Sequence, residues 1–363
     1  MLCHIVKTAR YLTEIKKEIN NRHGYVFHCF NGYSCPVLNY LMKRLAGMIP
    51  LLLGITIISF GIMHLAPGEP VVTGQEFNPK VSSQDIERLR AYYGLDKPLY
   101  EQYWNWLNRL AVLDFGQSFS ADGRSVLDKI SERIPVTLWV NVLAMLVIIA
   151  LAIPIGIASA VRRDSWFDKG MTIFVFIGFA IPSFWLGLLL MISLGANLQW
   201  LPISGLHDYS WQQLGFWQQQ IDLLQHLVLP VFISAIGGLA GMSRFMRTGM
   251  LDVIRSDYIT TARAMGVPEG TIRYRLALKN ALLPIITLLG LSIPGLIGGS
   301  VIVEQLFSLP GMGLLFFEAV MSRDYPLVMG ITVIGAVLTL LGNLIADLSY
   351  AWADPRIRHG AGS

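Results

Sequence analysis

Residues 134 to 161 read IPVTLWVNVLAMLVIIALAIPIGIASAV, a run without a single formal charge. As a helix rising 1.5 Å per residue it is about 40 Å long, enough to cross the roughly 30 Å hydrocarbon core of a bilayer. Five further stretches, at 45–68, 171–207, 223–243, 280–303 and 325–346, are likewise free of Asp, Glu, Lys and Arg. Six apolar runs predict an all-α integral membrane protein with six transmembrane helices. The composition agrees: of 363 residues 53% are hydrophobic and only 14% charged, with a mean hydropathy of +0.52, against about 25% charged in soluble domains. A soluble multi-domain enzyme, a disulfide-stapled secreted domain and a disordered chain are excluded, because none would leave six such runs unsolvated.

The charge distribution orients the chain. With the amino terminus inside, nineteen Lys and Arg fall on the cytoplasmic side and nine outside, eight of those nine within the long segment 67–133. Long translocated loops largely escape the positive-inside rule, and the two short outer loops, 199–222 and 304–324, share only Arg323. Both termini are therefore expected in the cytoplasm. A net charge of +4 is too small to suggest nucleic-acid binding. Cys3, Cys29 and Cys35 all precede the first span, on the reducing side, and their spacing with His28 matches no common metal site. Residues 1–41 read as a cytoplasmic extension too polar to insert, and Met42 with Lys43 and Arg44 makes a natural beginning for the first span, 42–66.

Within the outer segment 67–133, Ile86, Leu89 and Tyr93 and then Leu99, Tyr103, Trp106 and Leu110 recur at helical spacing. Two short amphipathic helices resting on the membrane interface are predicted. The turn 162–170 makes spans two and three antiparallel neighbours, and Pro182 should kink span three. Glycines 237, 238 and 241 in span four, and 290, 295, 298 and 299 in span five, suit close helix approach. Polar groups inside the spans are few: Asn141, Ser234, Asn343 and Asp347, the last near the boundary where it can reach water or pair with Arg356 or Arg358. Without a midplane carboxylate or lysine, an ion-coupled carrier lacks its relay.

Between spans four and five lies a cytoplasmic stretch, 244–280, with seven basic and three acidic residues. Ser256 or Asp257 can cap a short helix that places Tyr258, Ala262 and Met265 on one face. Gly266 supplies a left-handed stop, Pro268 restarts a second helix, and Glu269 suits its positive end. Small residues, Ala262 and Ala264, would let the first helix lie deep in a partner's groove. A basic loop on anionic lipid does not require this order of helix, stop and restart.

Thr261-Ala-Arg-Ala-Met-Gly266 followed by Leu278-Lys-Asn-Ala-Leu-Leu-Pro284 resembles the cytoplasmic coupling loop of bacterial ABC importer permeases, in particular the dipeptide, oligopeptide and nickel branch. The likeness runs over about residues 42–359 and takes in Pro67-Gly-Glu-Pro70, Asp114-Phe-Gly116, Ile181-Pro-Ser-Phe-Trp185, Pro310-Gly-Met-Gly313, Arg323-Asp-Tyr-Pro326 and Asp354-Pro-Arg-Ile-Arg358. The long outer segment resembles that of the first of the two permease types that pair in these systems. The resemblance implies a type I importer permease with its core at 134–359 and a tail at 360–363, set in the bacterial inner membrane. It also implies that Asp257, Tyr258, Thr261, Ala262, Arg263, Ala264, Met265 and Gly266 dock on a separate ATP-hydrolysing subunit. A second related permease and an extracytoplasmic solute-binding protein would complete the assembly, with peptides as the first-choice solute and nickel and glutathione-like solutes open. Where the wider pattern begins Glu-Ala-Ala, this chain has Thr260-Thr261-Ala262, so an acidic contact to the ATPase is missing.

The sequence holds no Gly-x-x-x-x-Gly-Lys-Ser/Thr loop to cradle ATP and no His-Glu-x-x-His pair. His64 and His226 stand isolated near span ends. No catalytic residue, metal site or cofactor is expected. A secondary carrier or channel working without an ATPase is the alternative reading.

Overall fold

The computed structural model describes residues 36–65, 94, 96–120, 122–293 and 295–353. Two compact units divide the chain, residues 1–54 and 55–363. In the first, the described residues are all helical and belong to α1 (Pro36–Leu65), which ends in the second. α1 passes through Lys43 and Arg44 without a break, so those charges mark a change of environment and not a helix end. The second unit holds α2 (Leu99–Ala111), α3 (Val126–Val161), α4 (Trp166–Ala180), α5 (Ser183–Asn197), α6 (Phe216–Ile254), α7 (Asp257–Ala264), α8 (Glu269–Ala281), α9 (Leu283–Ser292), α10 (Gly295–Gly298), α11 (Val301–Leu306), α12 (Met312–Met321) and α13 (Tyr325–Ala353). The described residues form no strand.

Among the described residues four helices are long and apolar enough to cross a membrane, and the pairs α4 with α5 and α8 with α9 bring the number to six when each is taken as one span. The break in span three is far sharper than a proline kink: α5 leaves α4 at 99°. Ile181, held extended at φ −78° and ψ 125° by the ring of Pro182, ends α4, and Ser183 begins a new helix. α5 then lays Leu186, Leu190 and Leu194 over a core of Val140, Leu227, Val231 and Phe307. The fifth span bends by 43° between α8 and α9, beside Pro284.

α6 is the other departure from the sequence pattern. Its charge-free run stops at residue 243, yet the helix continues through Arg244 and Arg247 to Ile254. Those last residues add about 16 Å of helix beyond the charge-free run at 1.5 Å per residue. Close approaches fall at glycines other than most of those expected. A side chain at Gly156 would meet Met246 at 2.5 Å and one at Gly238 would meet Ile148 at 2.5 Å, whereas Gly237, Gly241, Gly295 and Gly298 face open space.

Of the two amphipathic helices expected in the outer segment, α2 is present, with Trp106 and Leu110 against a core of Phe115, Val126, Leu327 and Ile331. The other, 86–93, lies outside the described residues, as do His28 and the three cysteines, Pro67-Gly-Glu-Pro70 and the Asp354 to Arg358 motif; the side chain of Asp347 is likewise not described.

Candidate functional site

α7 hangs from the end of α6 by a single turn. Ser256 occupies the N-cap position in extended conformation, but its hydroxyl donates back to the Val253 carbonyl at 2.6 Å and caps nothing; its own carbonyl accepts from Ile259 and Thr260. Asp257 opens the helix at its positive end. The stop is a full Schellman turn: Gly266 at φ +78° donates to Arg263 O at 3.0 Å, and Val267 donates to Ala262 O at 3.1 Å. Pro268 sits one place before α8, and Glu269 at its start bonds Arg263 of α7 at 2.6 Å. Both partners are more than 40% exposed, so this pair contributes little beyond fixing the turn.

One face of α7 is sunk into the chain. Ile259 is fully buried and Ala262 is 5% exposed, packed with Ile157, Ala160, Met246, Met250, Ile272 and Ala277. The grouping of Tyr258, Ala262 and Met265 on one face is thus corrected: Ala262 points inward while Tyr258 and Met265 are exposed, because the cluster beneath α7 needs a small residue where α6 and α8 converge. The outward surface includes Asp257, Tyr258, Thr260, Thr261, Arg263, Ala264, Met265 and Gly266, with Met265 72% exposed. Tyr258 also ties α7 to the following span: its hydroxyl accepts from Asn280 Nδ2 at 2.7 Å. The motifs 261–266 and 278–284, far apart in sequence, are thereby one structure.

Three buried polar clusters escape a periodicity reading. Asp168, 3% exposed in the first turn of α4, takes a bidentate bond from Arg247 of α6, both distances 2.7 Å, and also accepts from Asp164 N. This clamp fixes the lower part of α6 to span three. At the opposite end, Glu304 of α11 is 2% exposed; its Oε1 accepts from Thr137 Oγ1 at 2.9 Å and its Oε2 from Leu314 N at 3.0 Å, at the start of α12. Gly299 and Gly311 leave room for that carboxylate and Gly313 for the backbone of Ser300 and Val301, which explains the spacing of Pro310-Gly-Met-Gly313. The third cluster gathers Lys129, 9% exposed, with Ser118, Ser120 and Asp122, and through Ser118 reaches buried Asp324. Lys129 and the Ser120 hydroxyl hold the Asp122 carboxyl down at about 2. Only Pro310-Gly-Met-Gly313 and Arg323-Asp-Tyr-Pro326 could have flagged these groups from sequence.

The isolated histidines have structural partners. His64 stacks on Phe60 and bonds Gln102 at 3.2 Å, and His226, buried, lies 3.3 Å from Asp222. Asn141 donates to Leu296 O of α10 at 2.8 Å, while Ser234 Oγ is buried without a hydrogen-bond partner among the described residues. Among the described residues there is no group of three His, Cys, Asp or Glu able to hold a metal ion.

Residues 152–359 match the binding-protein-dependent transport system inner membrane component family, and residues 37–141 match the N-terminal part of such membrane components. The chain is 45% identical over 320 residues to the oligopeptide transport system permease protein AppB of Bacillus subtilis, covering 88% of this chain and 99% of that one. It is 37% identical over 321 residues to a putative peptide transport system permease protein of Brucella abortus, covering 88% and 98%. It is also 37% identical over 326 residues to the glutathione transport system permease protein GsiC of Salmonella choleraesuis, covering 89% and 100%.

Proposed function

Because the chain belongs to the family of binding-protein-dependent transport system inner membrane components, we propose that it serves an ATP-driven peptide importer as the subunit in which α7 receives the stroke of a separate ATPase. Peptides are the favoured solute, since relatives over nearly their whole length carry the names oligopeptide, peptide and glutathione permease. The observation that carries the docking role is the two-sidedness of α7. Its inner face, Ile259 and Ala262, is embedded where α3, α6 and α8 meet, while Tyr258, Thr261, Ala264 and Met265 stand outward on that rigid base.

A push on the outward face is carried by α6 as a continuous rod and, through Asp168 and Arg247, by span three. The spans then tilt, so that the passage opens alternately to either side. The second permease lies across that passage, and both termini face the cytoplasm, as the excess of Lys and Arg on that side supports. The outer segment 67–133 and the loop 199–222 meet the solute-binding protein.

The test contrasts two alanines. Ala264→Arg alters only the outward face and should leave the permease in the membrane while abolishing co-purification of the ATPase and uptake. Ala262→Arg drives a guanidinium into a closed core and should lower the amount of folded permease itself. Normal uptake by Ala264→Arg would overturn the docking role.

A further inference from the structure

A cavity of about 400 Å³ lies between α3, α4 and α6, toward the end of the spans that carries α7; Ile155, Val175, Phe176, Phe179, Gly241 and Arg244 form much of its wall. Phe176 and Phe179 are 56% and 74% exposed, so the cavity opens on the surface of the chain. Arg244 is the first charge after the apolar run 223–243 and so stands at the level where hydrocarbon gives way to headgroups. One turn farther along α6, Arg247 is neutralised by Asp168. Arg244 has no acidic partner among the described residues, and its guanidinium rests 5.9 Å over the ring of Phe176.

We propose that this cavity binds an anionic phospholipid, with the phosphodiester on Arg244 and an acyl chain against Val175, Phe176 and Phe179. The match is one of charge and of polarity together. A guanidinium without a counter-charge beside an apolar cleft at the membrane boundary complements a lipid that carries both a phosphate and a hydrocarbon tail. A peptide in transit fits less well, because its backbone groups would find few free partners. The Thr172 hydroxyl already donates to Asp168 O at 2.7 Å and the Ser243 hydroxyl to Ala240 O at 3.1 Å, and unpaired amides in an apolar cleft are costly.

The test titrates the full chain in detergent with phosphatidylglycerol and with phosphatidylcholine of identical acyl chains, counting bound lipid by native mass spectrometry. Phosphatidylglycerol should bind about fivefold more tightly, the advantage of one cation at the membrane surface. Arg244→Gln should erase that preference, weakening phosphatidylglycerol more than phosphatidylcholine, whose phosphodiester meets the same guanidinium but whose choline offsets its charge. Gly241→Leu should weaken both lipids by filling the cleft; a Cβ at Gly241 meets nothing within 4 Å, so the variant should melt at or above the temperature of the parent. Inorganic phosphate should displace neither lipid. Equal binding of the two lipids to the parent chain, a preference that survives Arg244→Gln, or displacement by phosphate or by a short peptide would each overturn the proposal.

Discussion

Replacing Gly266 tests the stop of α7 without touching anything else. A Cβ there would meet no atom within 4 Å, so substitution brings no clash, and the whole effect comes from the backbone at φ +78°. An L-residue held left-handed costs about 1–2 kcal/mol, more for a β-branched side chain and little for Asn, which visits that region readily. The Schellman turn rests on two hydrogen bonds, at 3.0 and 3.1 Å, each worth a net ~0.5–1.5 kcal/mol. The strain of Val is thus comparable with what holds the turn closed, and a 2 kcal/mol change shifts the open population by about 30-fold. The expected order of both hydrogen-exchange protection over residues 262–268 and peptide uptake is Gly, then Asn, then Ala, then Val. Uptake by Gly266→Val equal to that of the parent, or Gly266→Asn as damaged as Gly266→Val, would refute the view that the geometry of this turn positions α7.

Two other consequences concern ion pairs. Arg247→Ala leaves Asp168 at 3% exposure without its counter-ion, a loss of about 3–5 kcal/mol for a buried pair broken on one side; the melting temperature should fall clearly and recover in part in the double variant Asp168→Asn, Arg247→Gln. Asp122 has a folded value depressed from 3.8 to about 2, so its contribution is present above pH 4 and lost as pH falls through 2. Because the carboxylate is 46% exposed, solvent and salt screen this effect. Tryptophan fluorescence of α2 should shift between pH 4 and 2 in the parent and be flatter over that interval in Asp122→Asn.

The apolar runs overlap the four long apolar helices and the two bent pairs because lipid punishes an unpaired charge over any stretch of about 20 residues, and the Gly266 and Pro268 pair exposed the end of α7 because backbone stereochemistry is written in single residues. What hydropathy could not show was where helices outlast the membrane or break within it. α6 keeps its hydrogen bonds through Arg244 and Arg247, since a helix has no reason to end where hydrocarbon does. Pro182 was visible, but whether its neighbours take up a kink or a 99° turn depends on the packing of Leu186, Leu190 and Leu194 against another span. The inward facing of Ala262 was hidden for a similar reason: an eight-residue helix offers too few apolar positions to tell its inner face from its outer one. Asp168 with Arg247, and Glu304 with Thr137, lie 79 and 167 residues apart, and such pairs leave no periodic trace.

Uphill uptake is the measurement that bears most directly on the role of this chain. In sealed vesicles the purified permease alone should equilibrate or exclude a labelled peptide, while the same permease with its partner permease, ATPase subunits and solute-binding protein should concentrate it when ATP is supplied. Accumulation against a gradient by the chain alone would contradict the account.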